Sequence, residues 1–251
     1  MPHIKLSEEV AEALERERPL VGLESTIFSH LGLPSPANQE ALARATAAIR
    51  SQGAVPAVTA IIDGIPRVGL EESEQESILG PARKTAERDI AVAVAQRWSV
   101  GATTVSASLA LCAEVGIPVF ATGGIGGVHH GSETTGDVSS DLGAISLHSV
   151  VTVCAGAKAL LDIPKTLEVL ETEAVPVLGY QTDEFPLFYA RSAGIPVPAR
   201  VESAGEVAAI LAERIRGAEL FLIPEAGHAF PLEQPAALPA AIRRVLQRCS
   251  R

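Results

Sequence analysis

The chain has 251 residues, of which 47% are hydrophobic and 4% aromatic, and its formal net charge is −10. That length and apolar share predict a single domain over residues 1–251 with a substantial core. The negative charge excludes nucleic acid as the main partner, because such binding rests on neutralising phosphates. Three cysteines without CxxC spacing exclude a disulfide framework, and the longest apolar runs are too short for a membrane span. We therefore expect a soluble, cytoplasmic protein.

The N-terminal half alternates predicted helices with predicted strands. Ser7 opens a helix that Pro19 ends, and a buried strand follows at 20–23. Further along, we predict a helix over 38–52, a hairpin of strands 55–62 and 65–70 on the sheet edge, a helix after 71 with a Ser73–Glu76 capping box, helices over 90–98 and 104–115, and a strand over 118–121.

The C-terminal half continues this alternation after a glycine-rich loop over 122–131 and a polar stretch over 132–142. The predicted elements are strands over 150–154, 176–181 and 219–223, an irregular segment over 185–198, and helices over 164–173, after the Ser203–Glu206 capping box, and over 235–249. Strands that alternate with helices predict an α/β fold. Its sheet is expected to be mostly parallel with a mixed edge, covered by helices on both faces in a three-layer αβα arrangement.

Lys158 is the most informative single residue. It follows the apolar strand 150–154 at the place where a helix is expected to begin, and the positive end of a helix disfavours a protonated amine. The small residues Ala155, Gly156 and Ala157 leave room for a ligand. We interpret Lys158 as a nucleophile, with a solvated lysine beside a buried strand as the alternative.

The segment from Thr122 to Gly131 holds five glycines in ten residues. Exposed amides in such a run can bind an anion, so we predict phosphate binding, with a flexible turn as the alternative. A dinucleotide-binding GxGxxG would need glycine at His129, and no GKS or GKT follows. The run therefore matches neither common nucleotide loop.

Oxygen ligands follow two of the predicted strands. Glu24 comes directly after strand 20–23, and the segment 137–141 brings two carboxylates and two hydroxyls. Mg²⁺ and Mn²⁺ prefer such ligands. A turn or N-cap role for Asp137 or Asp141 is the alternative.

Lys84 lies between Arg83 and Arg88 in a polar stretch. It is interpreted as a cation that reaches a phosphate, or as part of a basic patch that balances the acidic run before it. The adjacent His129 and His130 lack an HExxH pattern, and there is no GxSxG, so neither a zinc protease nor a serine hydrolase is indicated.

Six strings, in matching order and spacing over about residues 20 to 225, resemble the pseudouridine-5′-phosphate glycosidases, a family that includes indigoidine synthase A-like proteins. They are LESTI at 23–27, GATTV at 101–105, ATGGIGGVH at 121–129, DVSSDL at 137–142, VCAGAK at 153–158 and LGYQT at 178–182. The resemblance implies reversible cleavage of the C–C bond of pseudouridine 5′-phosphate to uracil and ribose 5-phosphate, in pseudouridine catabolism.

The resemblance also implies roles for individual residues. Lys158 would form a Schiff base with C1 of the ring-opened sugar, Glu24 would donate and accept the proton, and Asp137 would hold a divalent metal, usually Mn²⁺, with Mg²⁺ as another possibility. The implied substrate-binding residues are Lys84, Val105, Thr122, Gly124, His129, Ser139, Ser140 and Asp141. A homotrimer that binds a sugar phosphate and uracil is implied as well.

An imine suits this chemistry, because a C-glycoside has no oxygen leaving group to protonate. Two segments depart from the family pattern. Its members are expected to continue past residue 225 into a helical part with an active-site asparagine, whereas 226–251 has no matching string and no asparagine. The stretch around Lys84 matches only loosely.

Two other functions stay open at this point. The first is a Schiff-base lyase or aldolase that acts on another sugar phosphate, because no matching motif reads uracil explicitly. The second is a non-catalytic protein that binds a sugar phosphate.

Overall fold

The computed structural model describes residues 3–213 and 220–222. Its residue contacts separate a first unit, Met1–Phe120, from a second, Ala121–Arg251. In both units mostly parallel strands are flanked by helices, which confirms the predicted α/β class. The single domain over 1–251 stays a prediction, and the helix predicted over 235–249 lies outside the described residues.

The first unit has a mixed sheet in the order β1-β4-β3-β2-β7, with β6 paired to β3 and β5 paired to β6. Its strands are β1 (Lys5–Leu6), β2 (Leu20–Leu23), β3 (Val55–Ile62), β4 (Ile65–Val68), β5 (Arg83–Thr85), β6 (Val100–Thr103) and β7 (Val119–Ala121). Its helices are α1 (Glu8–Glu15), α2 (Ala37–Ser51), α3 (Glu72–Ile78), α4 (Ile90–Ala95) and α5 (Val105–Glu114).

The central strand of this sheet is β3, which is buried along its whole length. On one edge, β2 runs parallel to β3 as far as the pair Leu23–Val58, and β6 runs antiparallel to it as far as the pair Ala102–Ala60. The carboxyl ends of β2 and β6 therefore point at each other across Thr59. Open α/β sheets bind ligands at such strand ends.

The predicted hairpin of β3 and β4 is confirmed, because both turn residues, Asp63 and Gly64, have the positive φ angles of a tight hairpin turn. Its predicted position at the sheet edge is wrong, since β3 has neighbours on both sides and β4 also pairs with β1. The sequence interpretation missed β5 and β6. Both strands are short, and β5 is polar.

Helix starts follow the sequence closely where a side chain caps them. Ser7 accepts a hydrogen bond from the Val10 amide and begins α1, as predicted. Helix α3 begins two residues earlier than the Ser73–Glu76 box implies, because Glu71 and Glu74 form the capping box instead.

The second unit has strands in the order β8-β11-β9-β10, all of them parallel. These are β8 (Val151–Cys154), β9 (Val177–Tyr180), β10 (Ala199–Val201) and β11 (Leu220–Leu222). The helices are α6 (Ser132–Thr135), α7 (Ser140–Leu147), α8 (Ile163–Thr172) and α9 (Ala204–Glu213). The sequence interpretation missed β10, α6 and α7, because their residues are mostly exposed or polar.

Among the described residues, no helix has the length and apolar character needed to cross a bilayer. Cys112 and Cys154 are fully buried, and burial raises the pKa of both thiols to about 12.

This burial predicts that stability falls in alkali. Above the ordinary thiol pKa of 9.0, the unfolded chain loses the Cys112 and Cys154 protons while the folded chain keeps them. The free energy of unfolding should therefore decrease as pH rises from 9 towards 12, by up to about 1.4 kcal/mol per pH unit for each thiol. Urea titrations of the wild type and of Cys112→Ala at several pH values test this. An equally steep pH slope in Cys112→Ala would contradict it.

Candidate active site

The first unit brings three predicted site residues to the place where its strands end. Glu24 directly follows β2 and is half-buried, Lys84 is the middle residue of β5, and Val105 is the first residue of α5. Lys84 pairs with Ala102 of β6 in register, and α5 begins two residues after β6 ends. Glu24 and Val105 therefore lie just beyond the point where the ends of β2 and β6 meet beside Thr59, and Lys84 lies on β5 next to β6.

A buried hydroxyl network fills the gap between the ends of β2 and β6. Thr59, Thr103, Ser25 and Ser108 are all fully buried. The Thr103 Oγ1 lies 2.8 Å from the Thr59 Oγ1 and 3.1 Å from the Ser25 Oγ, and Thr59 Oγ1 lies 2.8 Å from Ser108 Oγ. The sequence interpretation missed this network, although GATTV at 101–105 was noted, because β6 was not recognised as a strand.

Lys84 and the two arginines near it in the sequence differ in their partners. Arg83 stacks on Trp98 with 3.6 Å between its guanidinium carbon and the ring centroid, and Arg88 lies 3.5 Å from Asp89. Within the described residues, the Lys84 side chain has neither a hydrogen bond nor an ion pair. The role of Lys84 as a cation that reaches a phosphate stays a prediction.

In the second unit, the backbone of the glycine run is hydrogen-bonded to the chain on both of its sides. On one side the Ile125 amide donates to the Gly156 carbonyl at 3.0 Å, and the Lys158 amide donates to the Ile125 carbonyl at 3.3 Å. On the other side the Ser139 amide donates to the Gly127 carbonyl at 3.0 Å. The glycine run thus ties the segment that carries Lys158 to the segment that carries Ser139.

Half of the ten amides of this run are already bonded to protein. Five donate at 2.9–3.0 Å, namely those of Thr122, Ile125, Gly126, Val128 and His129. Gly124 has a packing role, because a Cβ there would overlap the Phe188 ring. A phosphate in this unit would therefore have to be bound by side chains or by amides other than those five.

Two of the predicted substrate-binding residues also hold the backbone in place. The Asp141 carboxylate is buried and accepts the Gly126 amide at 2.9 Å, and the Ser139 hydroxyl accepts the Asp141 amide and caps α7. The N-cap is thus Ser139 rather than Asp137 or Asp141. Ser140, the first residue of α7, is exposed. Their roles towards a substrate stay predictions.

Lys158 is exposed, but it does not begin a helix, so that part of the prediction is wrong. Helix α8 begins only at Ile163, because the Asp162 side chain caps it and Pro164 fits only its first turn. Gly156, with a φ of +84°, bends the chain before Lys158. Within the described residues, the Lys158 side chain has no hydrogen bond or ion pair. The helix-dipole argument therefore does not apply, and the accessibility of the amine is what supports a nucleophile.

A second lysine in this unit, Lys165, differs from Lys158 because its side chain forms ion pairs. The Lys165 ammonium lies 2.8 Å from Glu133 and 3.3 Å from Asp162. Hydrogen bonds to these two carboxylates raise the pKa of Lys165. Lys165 is therefore held as a cation by its two carboxylate partners.

Asp137 fits a divalent cation as a single open carboxylate. Its side chain is 63% exposed and lies 3.9 Å from the Nδ1 atom of His129. No group of three or more His, Cys, Asp or Glu residues that could hold a metal is found in the described part of the chain. A cation there would keep several waters or take oxygens from a substrate, as Mg²⁺ and Mn²⁺ commonly do.

Residues 9–248 match the family model described as indigoidine synthase A like protein. This match extends further at both ends than the strings at 23–182. A curated relative named pseudouridine-5′-phosphate glycosidase, from Sorangium cellulosum, is 51% identical over 84% of this chain and 67% of its own. A relative of the same name from Chloroflexus aurantiacus is 44% identical over 98% of this chain and 78% of its own.

Two solved structures resemble the chain, each with a TM-score of 0.80. One is the prealnumycin C-glycosynthase AlnA in complex with ribulose 5-phosphate, with 36% identity, covering 88% of this chain and 73% of that one. The other is an indigoidine synthase A-like protein from Thermotoga maritima, with 32% identity, covering 99% and 88%.

Alanine substitutions at two glycines, one in the closely packed glycine run and one in α7, should change stability in opposite directions. A Cβ at Gly126 would overlap the Ser139 side chain and lie 2.9 Å from the Asp141 carboxylate, whereas a Cβ at Gly143, on the exposed face of α7, meets nothing. Gly126→Ala should lower the free energy of unfolding by roughly 1–3 kcal/mol. Gly143→Ala should raise it by about 0.5–1 kcal/mol. Urea unfolding of both variants measures this, and equal stabilities would contradict the packing.

Proposed function

Since the chain belongs to the indigoidine synthase A-like family, we propose that it reversibly cleaves pseudouridine 5′-phosphate to uracil and ribose 5-phosphate. The match over residues 9–248 confirms the predicted family. The prediction that the chain is an enzyme is also confirmed, because its curated relatives carry the name of one. The observation that carries the proposal is the exposed Lys158 amine, which has no side-chain partner in the described residues.

Lys158 supplies the covalent step of this proposal. In the cleavage direction its nitrogen is bonded to C1 of the ring-opened sugar, and C1 is also bonded to C5 of uracil. Once C5 is protonated, the nitrogen lone pair forms a C=N double bond as the C1–C5 bond breaks, and the electrons of that bond stay with uracil. Water then hydrolyses the imine, which releases ribose 5-phosphate and the free amine.

Glu24 supplies the proton in this scheme. Protonation of C5 converts uracil into a leaving group, and the reverse reaction needs a base to remove the same proton. Glu24 suits the role because it lies at a strand end, half-buried, with the preceding and following residues fixed by the hydroxyl network. A carboxylate on a rigid support keeps its position during proton transfer.

The remaining predicted residues would bind the substrate. Lys84 provides a positive charge for the phosphate, and His129 lies beside the Asp137 carboxylate. Asp137 would hold a divalent metal, Mn²⁺ or Mg²⁺, which when bound withdraws charge from substrate oxygens. The homotrimer, the cytoplasmic location and the role in pseudouridine catabolism stay predictions.

A second candidate is C–C bond formation between a sugar phosphate and an acceptor other than uracil. It is favoured by the similarity to AlnA, which is named a C-glycosynthase and was solved with ribulose 5-phosphate. The lysine chemistry is the same for both candidates. Incubation of the enzyme with ribose 5-phosphate and either uracil or a phenolic acceptor distinguishes them by which acceptor is consumed.

Reductive trapping tests the lysine step. The protein is incubated with ribose 5-phosphate and Mn²⁺, reduced with borohydride and analysed by mass spectrometry. We expect a sugar-phosphate adduct on the wild type and on Lys165→Ala, but not on Lys158→Ala. The Lys165 variant is a matched control, because that amine is held by two carboxylates.

Turnover gives the second readout of this experiment. Lys158→Ala should lower uracil consumption by roughly a thousandfold or more, because the covalent route is lost. A wild type without adduct would refute the Schiff base. A wild type that forms the adduct but leaves uracil untouched would favour the second candidate.

A further inference from the structure

We infer that Thr103 is a positioning residue for Glu24, through hydrogen bonds that fix the backbone on both sides of that carboxylate. This inference rests on the proposed function, in which Glu24 moves the proton at C5 of uracil. It assigns a role in the reaction to a fully buried threonine that is not expected to touch the substrate.

The strand register explains why Glu24 needs such support. The backbone pairing of β2 with β3 ends at Leu23–Val58, and that of β6 with β3 ends at Ala102–Ala60. Glu24 therefore lies just beyond the last paired residue of its strand. Its backbone leaves β3 at that point.

Beyond the last paired residues, side-chain hydroxyls form hydrogen bonds with the backbone. The Thr59 hydroxyl lies 3.1 Å from the Leu23 carbonyl, directly before Glu24. The Ser25 amide, directly after Glu24, donates to Thr103 Oγ1 at 3.3 Å, and the Thr103 amide donates back to Ser25 Oγ at 2.9 Å. The two peptide groups that flank Glu24 are thus both held.

Thr103 links all of these bonds. Its hydroxyl donates to the Thr59 carbonyl at 2.7 Å, which leaves its lone pairs for the Ser25 amide at 3.3 Å and the Ser25 hydroxyl at 3.1 Å. The Thr103 carbonyl also accepts the Thr26 hydroxyl at 2.7 Å. Loss of the Thr103 hydroxyl would leave the Ser25 amide without its acceptor in a fully buried site.

A displaced Glu24 should affect proton transfer more than binding. Proton transfer depends steeply on geometry, and a displacement of about 1 Å can lower a rate by roughly 10²-fold. Formation of the imine on Lys158 does not use Glu24 in the proposed scheme. A positioning role therefore predicts a defect confined to one step of the reaction.

The experiment measures incorporation of deuterium at C5 of uracil when the enzyme, Mn²⁺, uracil and ribose 5-phosphate are incubated in D₂O. Thr103→Val keeps the shape of the side chain and removes the hydroxyl, whereas Thr103→Ser keeps the hydroxyl. Thr152→Val is the matched control, because Thr152 is a fully buried strand threonine whose hydroxyl has no partner in the described residues. Glu24→Gln marks the full loss of the proton donor.

We expect Thr103→Val to lower deuterium incorporation and kcat by roughly 10²-fold, with KM and borohydride trapping on Lys158 near the wild-type values. Thr103→Ser should restore most of the rate, and Thr152→Val should behave like the wild type. If Thr103→Val does not fold, Ser25→Ala, which removes the acceptor for the Thr103 amide and the hydroxyl that contacts Thr103 Oγ1, should show the same selective loss.

The outcomes separate this inference from the proposed function. A Thr103→Val variant, or a folded Ser25→Ala, with wild-type deuterium incorporation overturns the role of Thr103 while the function stands. An equal loss of trapping and incorporation means that the network merely maintains the fold, and also overturns it. A wild type that incorporates no deuterium refutes the proposed function, and the inference falls with it.

Discussion

The meeting of two strand ends across Thr59 is the constraint on which the first unit depends. Strands β2 and β6 share one edge of β3 and run towards each other, so neither can continue without displacing the other. The chain must leave the sheet at that point, and buried hydroxyls replace the missing ladder bonds. These hydrogen bonds hold the backbone on both sides of Glu24 against the sheet.

In the second unit, glycines rather than threonines allow neighbouring backbone segments to be joined. Its glycine run lies between the segment that leads to Lys158 and the segment that leads to α7, and it is bonded to both. Such close approach requires residues without a Cβ at Gly124 and Gly126. The glycines therefore serve packing, and the Gly126 amide also donates a hydrogen bond to Asp141.

Periodicity and caps in the sequence predicted the longer elements well. The buried strands β2, β3 and β8 and the helices α2, α5 and α8 lie within a few residues of their predicted bounds. The strands β5, β6 and β10 were missed because β5 and β10 are largely exposed, and because β6 contains Gly101 and Ala102, which have little preference for strands. Lys158 was placed at a helix start because a cap four residues downstream, at Asp162, was not weighed. The hydroxyl network needed the register of three strands, which no local pattern contains.

The meeting point at Thr59 also limits how the chain can change in length. A strand alternates its side chains between two faces, so one residue added to or removed from β2 would turn Glu24 to the opposite face. The same change in β6 would move Thr103 away from Ser25. Insertions and deletions should therefore be absent from these two strands among functional variants, whereas the exposed turn at Gly53, which has open space around it, can vary freely in length.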